Sequence, residues 1–233
     1  PGRERRSCRP LPSSRTLLGM RSRSVLRRPF RYSHYNAVLW LVGANVLIFA
    51  ATSFGGGLTN LLAMNPIETT RGGMFWQPFT YMFVHSPVTY THILFNMFGL
   101  FIFGSQVEYR LGSTEFLVFY LVSGFIAGVL SLFLYLLTGA FYIQLLGASG
   151  AVFAVLLAYA TFFPDSTIYL FAIIPVKAPA LVIGFTALEL FRGLSSSANG
   201  VANLTHLAGF VVAFAYLVIR LGINPIRVFS GRQ

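Results

Sequence analysis

Six apolar stretches follow one another along the chain, separated by connections that carry most of its polar residues, glycines and prolines. They cover about Ala37–Phe54, Tyr90–Val107, Phe116–Leu137, Ser149–Phe163, Ala178–Phe191 and Val201–Leu221. A helix needs roughly 20 apolar residues to cross the ~30 Å hydrocarbon core of a bilayer. The pattern therefore predicts an all-α, polytopic membrane protein built as a bundle of six transmembrane helices.

The connection between the first two stretches, about Gly55–Thr89, is long and aromatic. Its only charged residues are Glu68 and Arg71, and it carries Trp76 and Tyr81 among other rings. Long loops are seldom plain linkers, and Trp and Tyr favour the membrane interface. We expect a structured element that lies in the outer interface.

Composition and charge support the membrane assignment. The chain is 55% hydrophobic, has a mean hydropathy of +0.70, and only 10% of its residues are charged. The net charge of +11 does not indicate a nucleic-acid partner, because ten of the 17 basic residues are arginines that precede Asn36. A basic arm before the first span favours the cytoplasmic side. We therefore expect both termini in the cytoplasm, in a bacterial plasma membrane.

Three regions follow from this topology: a basic, disordered cytoplasmic arm at 1–34, a membrane domain at 35–222 and a short cytoplasmic tail at 223–233. Met20, followed by Arg and Ser residues, is a plausible start, and the arginine-rich arm is alternatively a transit peptide. The single cysteine, Cys8, excludes a disulfide framework or a cysteine metal site.

The fourth stretch is short for a span. Pro164 limits one end, and a start at Ser149 leaves a helix of about 22 Å against a ~30 Å core. The turn Gly147-Ala148-Ser149-Gly150 would then lie below the outer surface. Non-helical backbone at membrane depth is tolerated where it is buried in protein or faces water. The sequence thus predicts a wet cavity that opens outward above Ser149.

Histidines within spans indicate function. The predicted topology runs the second, fourth and sixth spans from outside to inside, so His92, Asn96, Ser149 and His206 share one outer depth. His206 is the natural general base for a Ser149 nucleophile. Three groups are candidate donors to an oxyanion: the side chain of Asn96, His92 one turn before it, and the free amide of Ser149.

No acidic residue is expected to orient His206, so the chemistry predicted is that of a Ser–His dyad. The carboxylates considered map to the inner side: Glu108, Glu115 and Asp165. No charged residue lies in the core of a span apart from Glu189, near the outer end of the fifth. No cofactor and no metal are expected, because the histidines fit catalytic roles.

Five ordered segments resemble the rhomboid family of intramembrane serine proteases, and the resemblance covers roughly 35–221. They are the segments 76–85 (WQPFTYMFVH), 92–97 (HILFNM), 108–112 (EYRLG), 147–150 (GASG) and 206–209 (HLAG). The resemblance implies Ser149 as nucleophile, His206 as base, and His92 and Asn96 at the oxyanion hole. It also implies that Gly147 shapes the loop before the nucleophile and that Glu108 and Arg110 are structural. The partners implied are the lipid bilayer and membrane-anchored protein substrates, including single-span proteins.

Several positions depart from the family pattern. Gln77 stands where Arg is usual, Phe153 where many members have Tyr, and Thr205 where Ala is frequent. We expect Phe153 still to stack on His206, and Gly209 with Ala213 to let the fourth and sixth helices approach closely. Gly150, like Gly147, is expected to let the backbone turn at Ser149. The alternatives left open are a catalytically silent rhomboid-like binder of membrane helices and, less favoured, a six-span transporter.

Overall fold

The computed structural model describes residues 30–170, 173–195 and 200–231. The predicted disordered arm, 1–34, lies outside the described residues at 1–29, with Cys8 and Met20, as does the end of the tail. Residues 30–34 are described and are held by hydrogen bonds, such as that from the Ser113 amide to the Ser33 carbonyl at 2.7 Å. Within the described part the chain is mostly helical. This confirms the helical class but leaves the count of six spans a prediction.

Most of the helices that correspond to predicted spans begin close to the predicted positions. The reason is that apolar runs, and the glycines that often follow a helix, can be recognised from the local sequence. Their bounds are α1 Ala37–Ser53, α5 Tyr90–Gly99, α6 Ser105–Leu111, α7 Ser113–Thr138, α8 Ser149–Phe162, α9 Ala178–Ser195 and α10 Gly200–Tyr216. A π-helical turn, Leu100–Gly104, joins α5 to α6, and another, Leu217–Leu221, extends α10. The shorter helices are α2 Gly56–Leu62, α3 Pro66–Thr70, α4 Gln77–Thr80 and α11 Pro225–Phe229.

Two of the described helical segments are long and apolar enough to cross a bilayer, Ser113–Thr138 and Asn203–Leu221. Two others, α1 and α8, are equally apolar but shorter. For α8 the 14 residues correspond to about 21 Å, as the sequence predicted. A helix of this length that starts at Ser149 cannot reach across a ~30 Å core.

Helix α8 lies at the centre of the helical bundle, packed against α10, α7 and α9. Its small residues let the neighbouring backbones come close, as is usual in membrane helix packing. The tightest approach is at Gly209 of α10, where an added Cβ would overlap the carbonyl oxygen of Gly150. This confirms the predicted close packing of these two helices.

The connection between α1 and α5 is structured, as predicted, by α2, α3, α4 and the 3₁₀ turn Tyr81–Phe83. It packs on α7, where a Cβ at Gly124 would overlap Met82 and one at Gly128 would overlap Tyr81. The buried Tyr81 hydroxyl donates to the Gly124 carbonyl at 2.8 Å. Both glycines of α7 are therefore packing positions for this loop.

Gln77 anchors the same loop from a fully buried position. Its Oε1 accepts from the Asn65 amide at 3.0 Å and the Thr69 hydroxyl at 2.8 Å, and its Nε2 donates to the Asn60 carbonyl at 3.0 Å. The neutral amide thus holds the loop by hydrogen bonds, without the positive charge usual at this position.

Polar contacts also tie the helices together at the end remote from Ser149. Buried Glu108 accepts from the amides of Ala37 at 2.6 Å and Val38 at 3.0 Å, so it caps the first turn of α1. Glu115 of α7 accepts from Arg220 Nε at 2.9 Å and from the Tyr216 hydroxyl at 2.5 Å. These ties fit a structural role for Glu108, whereas Arg110 is exposed.

The all-α prediction missed one element, a small antiparallel hairpin between α8 and α9. Strand β1, Thr167–Leu170, pairs with β2, Ile174–Lys177, with Thr167 opposite Lys177 and Leu170 opposite Ile174. Each strand has only four residues, too few for an alternating pattern to stand out in the sequence. Pro175 is tolerated because a two-stranded ribbon has only edge strands.

Candidate active site

The candidate nucleophile, Ser149, is the first residue of α8 and is reached through a bend at Gly147. Gly147 has φ +122°, a conformation that residues with a Cβ rarely adopt. Its amide donates to the Tyr81 carbonyl at 3.0 Å, and Met64 and Leu145 exchange backbone hydrogen bonds of 2.9 and 2.8 Å. The structured loop between α1 and α5 therefore holds the bend that leads into Ser149.

The hydroxyl of Ser149 lies 2.8 Å from Nε2 of His206 on α10. Both side chains are partly buried. The hydroxyl can donate to this nitrogen when the imidazole carries its proton on Nδ1, which is the arrangement that a serine and its general base require. The two residues that the sequence paired are thus in direct contact.

Phe153, one turn after Ser149, stacks on the imidazole of His206 with ring centroids 4.5 Å apart and planes 14° from parallel. This confirms the predicted stack of Phe153 on His206. Gly150, the residue after Ser149, faces α7 and α10: a Cβ there would lie 3.3 Å from Ala127 Cβ and 3.5 Å from Thr205. Gly150 thus allows α8 to lie close to α7 and α10. Phe153 packs flat against the ring of His206.

Thr205, directly before the base, makes a contact that the sequence did not reveal. Its hydroxyl lies 2.7 Å from that of Ser131 on α7, and Ser131 donates to the Ala127 carbonyl at 2.7 Å. Both residues are buried. The hydroxyl at a position where alanine is frequent therefore links α10 to α7 beside the candidate site.

The expectation that no acidic side chain lies near His206 is wrong. Glu189 Oε2 of α9 lies 3.1 Å from His206 Nδ1, and Glu189 is only 4% exposed. The sequence correctly placed Glu189 toward the end of its helix that is expected to face outward. It did not indicate that Glu189 lies on the face toward α10. Its two neighbours along the chain, Leu188 and Leu190, are exposed.

His92 and Asn96 stand one turn apart on α5. The His92 ring packs against Gly147, where an added Cβ would lie 2.7 Å from its Cε1. Asn96 is buried, and its Nδ2 donates to the His92 carbonyl at 2.9 Å. His92 thus lies at the bend before Ser149, while the hydrogen bond described for Asn96 runs along its own helix.

His85 is a further site residue that the sequence left without a role. It is fully buried, its Nε2 accepts a long hydrogen bond, 3.4 Å, from the amide of Ala148, and its ring centroid lies 5.3 Å from that of His92. Burial, with the neighbouring His92 ring, lowers the pKa of His85 to about 4. A neutral His85 can therefore accept from the backbone next to Ser149.

The part of the chain that the structure describes contains no cluster of three or more His, Cys, Asp or Glu side chains able to hold a metal ion.

Comparison with known proteins relates the chain to one family. The model of the Rhomboid domain matches residues 72–223. The chain is 30% identical over 209 residues to RHOMBOID-like protein 12, mitochondrial, of Arabidopsis thaliana, covering 82% of this chain and 60% of that protein. It is 31% identical over 185 residues to Rhomboid protease GlpG of Salmonella choleraesuis, covering 76% of this chain and 61% of that protein.

The chain spans about three fifths of the length of the curated relatives it matches, 60% and 61% for these two. The matched region contains the end of the loop before α5, from residue 72, the bend at Gly147 and both members of the Ser149–His206 contact. The family consists of integral membrane proteins, in keeping with the apolar helices of this chain. The chain belongs to the rhomboid family.

Proposed function

We propose that this chain is an intramembrane serine endopeptidase that cleaves membrane-anchored protein substrates. The observation that carries the proposal is the 2.8 Å contact between the Ser149 hydroxyl and His206 Nε2 at the start of a buried helix. A relative at 31% identity is named Rhomboid protease GlpG, which supports the same reaction class. Both side chains that covalent catalysis requires are present, which argues against a catalytically silent member.

In the proposed reaction His206 Nε2 takes the proton of the Ser149 hydroxyl as Oγ attacks the scissile carbonyl carbon. The tetrahedral intermediate collapses when the imidazolium returns that proton to the leaving amine, and an acyl ester on Ser149 remains. A water molecule, deprotonated by His206, then attacks the ester carbonyl. The second tetrahedral intermediate collapses as the imidazolium returns this proton to Ser149 Oγ, which releases the product with its new carboxyl group and restores the serine hydroxyl. The stack of Phe153 keeps the ring in one orientation through both steps.

The developing oxyanion needs hydrogen-bond donors aimed at it. The amide of Ser149 belongs to the first turn of α8, where backbone N–H groups have no partner within the helix. His92 stands at the bend before it, and Asn96 retains a second N–H on Nδ2 besides the one given to His92. We assign these three groups to the oxyanion hole.

The proposed substrates are single-span or otherwise membrane-anchored proteins, cut near the outer face. The reason is depth, since an α8 of about 21 Å that is anchored at the inner side ends within the membrane. The arginine-rich arm favours the orientation with both termini in the cytoplasm of a bacterial plasma membrane. A substrate helix must unwind locally there, because its carbonyls are otherwise hydrogen-bonded within the helix.

The test is cleavage of a model single-span substrate in proteoliposomes by wild type, Ser149→Ala and Ser53→Ala. Ser53 is an exposed serine at the end of α1 and serves as the matched control. We expect Ser149→Ala to lower the rate by at least about 10³-fold and the control to match wild type. The masses of the fragments locate the scissile bond relative to the substrate's span.

Cleavage that survives Ser149→Ala contradicts the proposal. A wild type that binds the substrate but leaves it intact indicates the silent binder instead. A fluorophosphonate probe gives an independent measurement: it is expected to label wild type but not His206→Ala. Equal labelling of the two removes His206 as the base.

A further inference from the structure

The environment of Glu189 differs from that of an ordinary polar residue on a membrane helix. Its side chain is turned from lipid to the interior, 4% exposed, between two exposed leucines. A carboxylate removed from water is costly unless it is paired. The partner within reach is Nδ1 of His206, 3.1 Å from Oε2.

The two atoms of this contact have no alternative partner among the described residues. Glu189 Oε2 and His206 Nδ1 are both buried and lie 3.1 Å apart, and neither atom makes a hydrogen bond to another described residue. Apo contacts in catalytic sites are often long or poorly aligned and tighten in the substrate complex. A buried acceptor facing a buried ring nitrogen therefore indicates a pair that acts together.

We propose that Glu189 is a positioning residue that holds His206 in the tautomer with its proton on Nδ1, a role that rests on the proposed peptidase function. With Nδ1–H donated to the carboxylate, Nε2 is left bare and faces the Ser149 hydroxyl. When the serine proton moves to Nε2, the imidazolium retains Nδ1–H and Glu189 stays ionised beside it. The candidate site is thus a Ser149–His206–Glu189 set assembled from α8, α10 and α9.

The charge of Glu189 affects two states of the imidazole in the same direction. It favours the productive neutral tautomer, and it stabilises the imidazolium that forms during attack, as the buried acid does in serine protease triads. The other groups that face His206 are Ser149 from α8, the uncharged Phe153 ring, and His92 from α5. On α9 itself, Arg192 is exposed one turn beyond Glu189.

The experiment compares wild type, Glu189→Gln, Glu189→Asp and Glu68→Gln in the proteoliposome assay, with kcat and KM measured separately. Glu68→Gln makes the same carboxylate-to-amide change at an exposed site in the loop before α5. We expect Glu189→Gln to lower kcat by about 10- to 10³-fold with KM little changed, because an amide neither selects the tautomer nor carries charge. Glu189→Asp should recover part of the rate, and Glu68→Gln should match wild type.

The protonation site of His206 distinguishes positioning from mere support of the fold. In Glu189→Gln the rate of fluorophosphonate labelling of Ser149 should fall, because the imidazole is no longer held in the tautomer that leaves Nε2 bare. In ¹⁵N-histidine NMR spectra, the His206 signal is identified as the one that is absent from His206→Asn. In wild type this signal should show that the proton is on Nδ1.

Four outcomes separate the possibilities. A Glu189→Gln variant with wild-type kcat and labelling rate overturns the role of Glu189 and leaves the peptidase proposal standing. A lower kcat with a lower unfolding temperature, while the His206 proton stays on Nδ1 in the spectra of Glu189→Gln, shows a structural role only and also overturns it. His206 protonated on Nε2 in wild type overturns it as well. A wild type that neither cleaves nor reacts with the probe overturns the peptidase function, and the role of Glu189 falls with it.

Discussion

The phenyl ring of Phe153 lies parallel to the imidazole of His206, 14° from coplanar, with centroids 4.5 Å apart. The two residues come from α8 and α10, so the stack links the helix that carries the candidate nucleophile to the helix that carries its base. Phe185 and Phe210 pack around the outer side of Phe153. The stack on the imidazole therefore forms without the hydroxyl that a tyrosine would carry at this position.

Replacement of Phe153 by Leu should lower kcat by roughly 2- to 10-fold, since an aromatic pair contributes about 0.5–1.5 kcal/mol beyond its buried area. Phe153→Tyr keeps the stack and should stay within about twofold of wild type. The measurement is kcat on a model substrate. Phe133→Leu, on the exposed face of α7, is the control. A Leu variant as active as this control contradicts a role of the stack in orienting the base.

Gly209→Ala should destabilise the fold by about 1–3 kcal/mol, because the added methyl group overlaps the Gly150 backbone and must push α10 from α8. The cleavage rate should fall as well, since this displacement separates His206 from Ser149. Thermal unfolding in detergent measures the first effect. Gly184→Ala on α9, where an added Cβ meets nothing within 4 Å, should be neutral or stabilising. Equal unfolding temperatures for the two variants contradict the close approach.

Gln77→Ala should destabilise the protein by about 2–4 kcal/mol, because it leaves buried donors and acceptors of the loop without partners. Exposed Gln106 gives the matched control, and Gln106→Ala should have little effect. Since Gln77 makes no contact with Ser149 or His206 among the hydrogen bonds described, the folded fraction of Gln77→Ala should keep its kcat. A loss of kcat with an unchanged unfolding temperature means that the loop acts on catalysis directly.

Local patterns predicted the elements near the site correctly. The start of α8 at Ser149 follows from the glycine-flanked turn, and its short length follows from Pro164. Ser149 and His206 were paired because both were expected at the same depth on helices that run in the same direction; their contact comes from the tertiary structure. The structured loop, too, was indicated by its aromatic content. For the start and length of α8 and for this loop, the information lies within a short stretch of sequence.

Other relationships at the site were beyond this kind of inference. The Ser131–Thr205 contact joins residues 74 positions apart in the chain, and nothing local in either segment indicates the other. The contact of His85 with the Ala148 amide likewise depends on how the loop before α5 folds back onto α8. The hairpin after α8 was missed because its four-residue strands are too short to produce a clear pattern.

The sequence by itself determined where each polar residue lies along its helix, because a helix advances 1.5 Å per residue whatever surrounds it. Only the tertiary structure decided which way each helix is turned about its axis. Glu189 shows the difference: its place near one end of α9 is evident in the sequence, but its direction, toward His206 and not toward lipid, depends on the packing of α9 against α8 and α10. That rotation is determined by contacts among three helices, and a single apolar helix such as α9, with leucines on both sides of its glutamate, does not specify it alone.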